Sequence, residues 1–239
     1  MTIAAEDLTP LRSAVGAPVF GPRDDGWDSA RQAWNLVADQ QPAAVAYADG
    51  ADDVAAIVNF ARERGLRVAA QGSGHAAGSL GSLDGVVLLK TDRMRGVTVD
   101  AGARRARVEA GVLGGELGPA AGEHGLTVLG GSSPDVGVVG FAVGGGIGWL
   151  SRRHGLTCNT ITAAELVTAE GEQVRADADQ NADLFWALRG GGGRLRRRNR
   201  AGARAVPDRP GVCRQPDVAG RARQGDRAGL LRVAAHDSG

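Results

Sequence analysis

The sequence predicts an α/β (α+β) fold with glycine-built binding loops, and three observations carry that prediction. Short β-rich runs alternate with amphipathic stretches up to about residue 190. Glycine clusters in two places, residues 72–78 and 130–148, each after an apolar run. Beyond Gly193 both patterns stop, and arginine, glycine and proline take over. The 239 residues allow one large domain or two small ones with ample core. A net charge of +1 argues against a globally basic nucleic-acid binder, and no apolar run is long enough to span a bilayer. The first residues, MTIAAEDLTPLRS, lack a basic region followed by an apolar stretch, so a cytoplasmic location is the expectation. Cys158 and Cys213 stand in no metal-ligand spacing, and no metal centre is expected.

Residues 1–38 read as a lead-in and residues 39–193 as the folded domain. AAVAYA, residues 43–48, is a short apolar strand. ADDVAAIVNFARERG follows with a helical period: Val54, Ile57, Val58 and Ala61 share a face, Asp52 and Asp53 suit the positive N-terminal end, and Gly65 stops the helix. LRVAAQ is the next strand, which makes a βαβ unit whose two strands are expected to be parallel neighbours. GVVLLKT is a third strand. GVTVD and RARVEAG alternate around a turn at residues 101–104 and form a hairpin. GELGPAAGEHG is a short helix ending at Gly125, with His124 near its last carbonyls. ITAAELVTAEGEQVRAD is a second hairpin turning at Glu170 and Gly171, and ADLFWALRG is a helix capped by Gly190. Phe141 and Trp149 are expected in the core, and His154 in a structural role.

The glycines carry the chemistry. Gly72, Gly74 and Gly78 follow a strand in a G-x-G-x-x-x-G pattern, with Asp92 about twenty residues on, close to a dinucleotide fingerprint. A nicotinamide enzyme of the Rossmann type is therefore one reading. That pattern needs a helix directly after the loop, yet AAGSLGSLDG is all the chain offers before the next strand, too little for a crossover with its helix. The loop must then bind through its own backbone N–H groups, as a nest for phosphate oxygens. The second cluster holds Gly130, Gly131, Gly137, Gly140, Gly144, Gly145, Gly146 and Gly148. Such density is costly in backbone entropy unless a flat or charged group lies against the main chain. Tight turns in a β-rich domain are the competing explanation. A P-loop is ruled out because no Gly-Lys-Ser/Thr follows.

Four stretches taken together carry a resemblance: PAAVA with ADDVAAIVNFARERGLRVAAQGSGH, GVVLLKTDRMRGVTVD, GGSSPDVGVVGFAVGGGIGWLSRRHGL, and ADLFWALRGGGG. In content and order they resemble the PCMH-type FAD-binding domain of FAD-linked oxidoreductases of the vanillyl-alcohol oxidase type, nearest the berberine-bridge-enzyme-like branch. The resemblance covers about residues 41–193. It implies two α/β subdomains with FAD extended between them, and a substrate domain that is missing here. It further implies that Gly72, Ser73, Gly74 and Ala76 surround the pyrophosphate, and that His75 is bonded covalently to the 8α-methyl of the flavin. Gly137, Gly140, Gly145, Gly148 and the main chain of Ile161 match positions along the cofactor. Where some relatives add a cysteinyl link, this sequence has Ser133, so one covalent tether is expected. The implied reaction is oxidation of a small-molecule C–H, in an alcohol, amine or phenolic substrate, by hydride transfer to flavin N5. The base belongs to the missing part, so no catalytic residue is assigned.

Residues 194–239 lack sustained apolar periodicity and are expected to be disordered or out of frame. Back-translated and read one base later, RLRRRNRAGARAVPDRPG can spell DFGVVTALELELFPIAQ, a strand of the kind relatives have at this place. Doubtful activity follows from that reading. Three functions stay open: the FAD-binding portion of a flavin oxidoreductase, a Rossmann-type NAD(P) enzyme, and a non-enzymatic protein whose basic tail contacts nucleic acid. On the first, the partner is a small-molecule substrate, with neither nucleic acid nor membrane expected.

Overall fold

The computed structural model describes residues 8–192 and two further strands, Val212–Val218 and Gly229–Leu230. Its first half runs through helix α1 (Thr9–Ala14), strand β1 (Val19–Phe20), α2 (Trp27–Arg31), β2 (Ala44–Tyr47), α3 (Ala51–Glu63), β3 (Arg67–Gln71) and β4 (Val86–Lys90). The four strands form one sheet in the order β1-β2-β4-β3, parallel except for β1. Helix α3 forms where its period places it: Val54, Ile57, Val58 and Ala61 are all buried on one side of the sheet. Burial of a valine or isoleucine side chain contributes about 1.5–3 kcal/mol. Asp53 in its first turn accepts the backbone N–H groups of Gly16 and Asp49, at 3.1 and 2.9 Å. Residues before 39 are part of this layer: Leu8 and Leu11 join the α3 side, and Trp27 and Ala30 cover the other face.

Strands β2 and β3 are parallel, but they are not the neighbours the βαβ reading expects, because β4 lies between them. Burial explains the order. All five residues of β4 are buried, whereas β3 has Arg67 and Ala70 exposed and Ala69 only half-buried. The strand with two apolar faces takes the place where both faces are covered.

The second half comprises β5 (Val97–Asp100), β6 (Arg105–Val108), α4 (Gly114–Gly122), β7 (Leu126–Thr127), α5 (Val138–Val143), α6 (Ser151–His154), β8 (Ile161–Val167), β9 (Gln173–Asp177), α7 (Ala182–Gly191), β10 (Val212–Val218) and β11 (Gly229–Leu230). An antiparallel sheet in the order β5-β6-β10-β8-β9 packs against α4, α5 and α7. Both expected hairpins form, with Val97 opposite Val108 and Val167 opposite Gln173. Gly190, at φ 103°, ends the regular part of α7 where the sequence places its cap. The fold is thus of the α/β (α+β) class, in two subdomains.

Helix α5 and strand β10 are among the elements that have no counterpart in the sequence reading. Helix α5 is six residues of VVGFAV, too short and too rich in β-branched residues and glycine to be helical alone. It is helical because Val139, Ala142 and Val143 are buried in the second core. Strand β10 falls in the Arg-rich tail and lies between β6 and β8, with register shifts on either side of Gln215 and Pro216. Proline cannot donate to a ladder, which fits a shift beside Pro216. The rest of residues 194–239, and with it the shifted-frame reading, lies outside the described residues. Trp149 corrects an expectation: it is 81% exposed, in the loop before α6 where Ile147 is exposed too and no apolar layer covers either. Phe141 is half-buried. Among the described residues, no helix is long and apolar enough to cross a membrane.

Candidate functional site

Strand β3 ends at Gln71 and the chain turns back at the carboxyl edge of the first sheet, the edge where open α/β sheets hold ligands. A four-residue 3-10 turn, Ala77–Leu80, follows the loop in place of an α-helix. A cleft of about 500 Å³ opens there. One wall is residues 67–77 of the first subdomain, and the other is Val136, Gly137, Val139, Gly140, Phe141 and Val143 of the second. Gly72, Ser73, Gly74, His75, Ala76, Gly137 and Gly140, dispersed in sequence, therefore share one cleft. Ser133 lines an adjoining pocket of about 40 Å³, which has Val136 and Phe141 in common with the cleft.

The loop is open to an anion. Among the described residues, the backbone N–H groups of Ser73, Gly74, His75 and Ala76 donate to no backbone or side-chain acceptor. Four successive unpaired donors are costly when buried and form a nest when an anion is present. Gly74 sits at φ +86°, and a Cβ there would come within 2.9 Å of Ala33, so only glycine lets the lead-in pack on the loop.

His75 is held on one ring face and along its edges. Its Nδ1 lies 2.9 Å from Ser73 Oγ, and Ser73 Oγ accepts the backbone N–H of Gly137 at 3.3 Å, a bridge between the two walls. The Trp34 ring stacks on the imidazole, with centroids 3.8 Å apart and planes 16° apart. Trp34 donates its indole N–H to Asp135 Oδ2 at 2.6 Å and its backbone N–H to the Ser73 carbonyl at 3.1 Å. Asp135 Oδ1 stands 3.6 Å from His75 Nε2, beyond hydrogen-bond reach, and Nε2 is buried without a hydrogen-bond partner. An orphaned polar atom of this kind costs about 1–3 kcal/mol.

Behind the loop, Lys90 at the end of β4 is buried and donates to Gln71 Oε1 at 2.6 Å and to the Gln32 carbonyl at 2.7 Å. Burial pushes its pKa below the ordinary lysine value, against the pull of Asp92. The pair of bonds ties the start of the loop to the segment that carries Trp34. Asp92, the acid of the dinucleotide-type reading, does not line the cleft.

Gly145, Gly148 and Ile161 lie outside both pockets. A Cβ on Gly148 would stand 1.9 Å from the Gly130 carbonyl oxygen, so this glycine is a point of backbone contact. Gly145 accepts the Cys158 N–H at 3.0 Å through its carbonyl. Ile161 opens β8 with its side chain in the second core. Trp34 and Asp135 are the site residues that reading the sequence misses. Their only sequence signals are an aromatic in the lead-in and an acid among glycines, 101 positions apart. Among the described residues, no group of His, Cys, Asp or Glu could hold a metal ion.

The family model for the FAD binding domain matches residues 42–177. The chain is 35% identical over 184 residues to (R)-6-hydroxynicotine oxidase of Paenarthrobacter nicotinovorans, covering 77% of this chain and 40% of that protein. It superposes on Physcomitrella patens BBE-like 1 with a TM-score of 0.76 at 30% identity, over 88% of this chain and 43% of the other. The corresponding values for glucooligosaccharide oxidase from Acremonium strictum, which carries a 6-S-cysteinyl, 8α-N1-histidyl FAD, are 0.73, 31%, 90% and 42%. The chain thus spans about two fifths of the length of these relatives. With no α-helix after the glycine loop and an FAD-domain match across it, the Rossmann nicotinamide reading is overturned. Since the match takes in more than half of the residues and the fold agrees with it, the chain belongs to the FAD-binding domain family of FAD-linked oxidases, with berberine-bridge-enzyme-like structures among its relatives.

Proposed function

We propose that the chain is the FAD-binding portion of a flavin-dependent oxidoreductase acting on a small-molecule C–H, and that His75 is its point of covalent attachment. In this reading residues 39–193 form the cofactor domain, and of the lead-in Leu8, Leu11, Trp27 and Ala30 pack onto it. His75 carries the proposal: its ring is clamped by Ser73 and Trp34 at a glycine-walled cleft that it helps to line. FAD supplies, when bound, the hydride acceptor. The residues of this chain bind and orient it. The free N–H groups of Ser73, Gly74, His75 and Ala76 suit the pyrophosphate, beside Gly72. Gly137 and Gly140 let a flat ring system approach the opposite wall. Gly145, Gly148 and the main chain of Ile161, which lie outside both pockets, are proposed as further contacts along the cofactor. Ser133 has a hydroxyl where a cysteinyl link needs sulfur, so His75 is the sole tether, in contrast to the doubly linked flavin of glucooligosaccharide oxidase.

The test compares purified parent and His75→Ala protein by visible absorbance and by in-gel fluorescence after denaturation. Yellow parent protein whose fluorescence survives denaturation, beside a variant that has lost it, is the expected result. Folded parent protein that takes up no flavin at all would sink the proposal.

A further inference from the structure

Asp135 has no part in the cleft's binding role as proposed, yet four contacts converge on it and on His75. Gly137 N–H donates to Ser73 Oγ at 3.3 Å and so occupies a lone pair of the hydroxyl. The hydroxyl keeps a second lone pair and its proton; when it donates to His75 Nδ1 at 2.9 Å, Nδ1 is the acceptor and the ring proton stands on Nε2. Nε2 faces the Asp135 carboxylate at 3.6 Å, and an anion at that distance favours an N–H over a bare lone pair. Asp135 is in turn oriented by the Trp34 indole N–H at 2.6 Å, and the same indole stacks on the imidazole. His75, Asp135 and Trp34 thus form a closed ring of contacts, with Nε2 inside it and shut off from solvent.

We propose that Asp135 is a positioning residue for His75: with Trp34 it holds the ring proton on Nε2 and leaves Nδ1, on the Ser73 side, as the nitrogen available to the flavin. The Ser73 hydroxyl is a removable cap on that nitrogen. This inference rests on the reading of His75 as the tether. The logic is that of a carboxylate that sets a histidine tautomer without touching the reacting group.

The experiment uses the full ligand-free chain labelled with ¹⁵N-histidine, and reads the His75 tautomer from long-range nitrogen–proton correlations in the parent, Asp135→Asn and Asp135→Ala. The same proteins are then mixed with FAD in air, so that as the bond from Nδ1 replaces an 8α C–H the proton leaves to solvent and the electron pair passes through the flavin to dioxygen, and the rate of covalent attachment is followed by gel fluorescence. The parent is expected to show a single Nε2–H tautomer with a ring proton protected from exchange. Asp135→Ala is expected to give averaged tautomers and attachment slower by about tenfold or more, with non-covalent FAD retention unchanged. A purely structural role would instead lower retention and melting temperature together. An unchanged tautomer and an unchanged rate in Asp135→Ala would overturn the proposal. If both Asp135 variants fail to fold, Trp34→Phe decides, since it keeps the stack and removes the donor that orients Asp135; an unchanged rate there counts against the proposal. A parent that forms no covalent flavin, but whose tautomer shifts on substitution of Asp135, overturns the tether and leaves the positioning role standing.

Discussion

The two glycine clusters look alike in sequence and do opposite things in space. In the first, residues 72–76 leave successive N–H groups unpaired at the edge of an open cleft. In the second, much of the glycine is packing: a Cβ on Gly148 would meet the Gly130 carbonyl at 1.9 Å, and one on Gly146 the Thr157 side chain at 2.5 Å. Only Gly137 and Gly140 of that cluster reach the cleft. Glycine density therefore signals that something comes close to the main chain, and the partner is as often the protein itself as a ligand.

Substitutions sharpen the contrast. Gly148→Ala should have the largest effect, a loss of at least about 3 kcal/mol, because backbone must move to admit the methyl group. Urea denaturation measures it, and a loss below about 1 kcal/mol would break the assignment of this glycine to packing. Gly74→Ala should cost about 2–3 kcal/mol, from the left-handed backbone at φ +86° and from the approach of Ala33 and the Trp34 nitrogen at 2.9–3.0 Å. It should also slow covalent flavin attachment, since it pushes Trp34 off His75; a melting curve beside gel fluorescence separates the two effects. Gly140→Ala goes the other way. No atom lies within 4 Å of its Cβ position, and the residue is in α5, so the ligand-free domain should gain about 0.5–1 kcal/mol. Flavin retention should nevertheless fall, because the methyl group enters the cleft, and equal retention would take Gly140 out of the binding wall.

The smallest effect is expected at Glu116, which serves as a control outside both clusters. Burial opposes ionisation of its carboxyl, but the Leu113 N–H at 2.8 Å and Arg95 Nε at 3.0 Å outweigh it and hold the pKa below the ordinary carboxylate range. A lowered folded-state pKa stabilises the fold above the ordinary carboxylate pKa, and that contribution is lost as pH falls through the folded-state value. Glu116→Gln should therefore cost under about 1 kcal/mol near neutral pH and remove part of the acid sensitivity. Melting temperatures at neutral and acid pH check it; a variant as acid-sensitive as the parent would contradict the sign.

Long periodic elements were legible in the sequence, as α3, the two hairpins and α7 show. Each owes its form to local residues: an apolar face at helical spacing, turn residues between alternating runs, or a terminal glycine. The site was legible in part. His75 and its flanking glycines stand out because a titratable side chain among residues without side chains is rare. Trp34 and Asp135 do not stand out, because their meaning comes from a contact across 101 positions. Helix α5 was hidden for a related reason: its residues favour strand or turn, and only burial of Val139, Ala142 and Val143 makes it a helix.

By itself, then, the sequence determined that an α/β chain would carry a glycine loop with a histidine at its centre, because periodicity and glycine placement act over a few residues. Tertiary structure alone decided that β4 separates β2 from β3, that Gly137 and Gly140 face the first loop while Gly148 packs on Gly130, and that Trp34 and Asp135 close on His75. Those outcomes depend on which surfaces are buried together, and burial belongs to the whole fold rather than to any stretch of it.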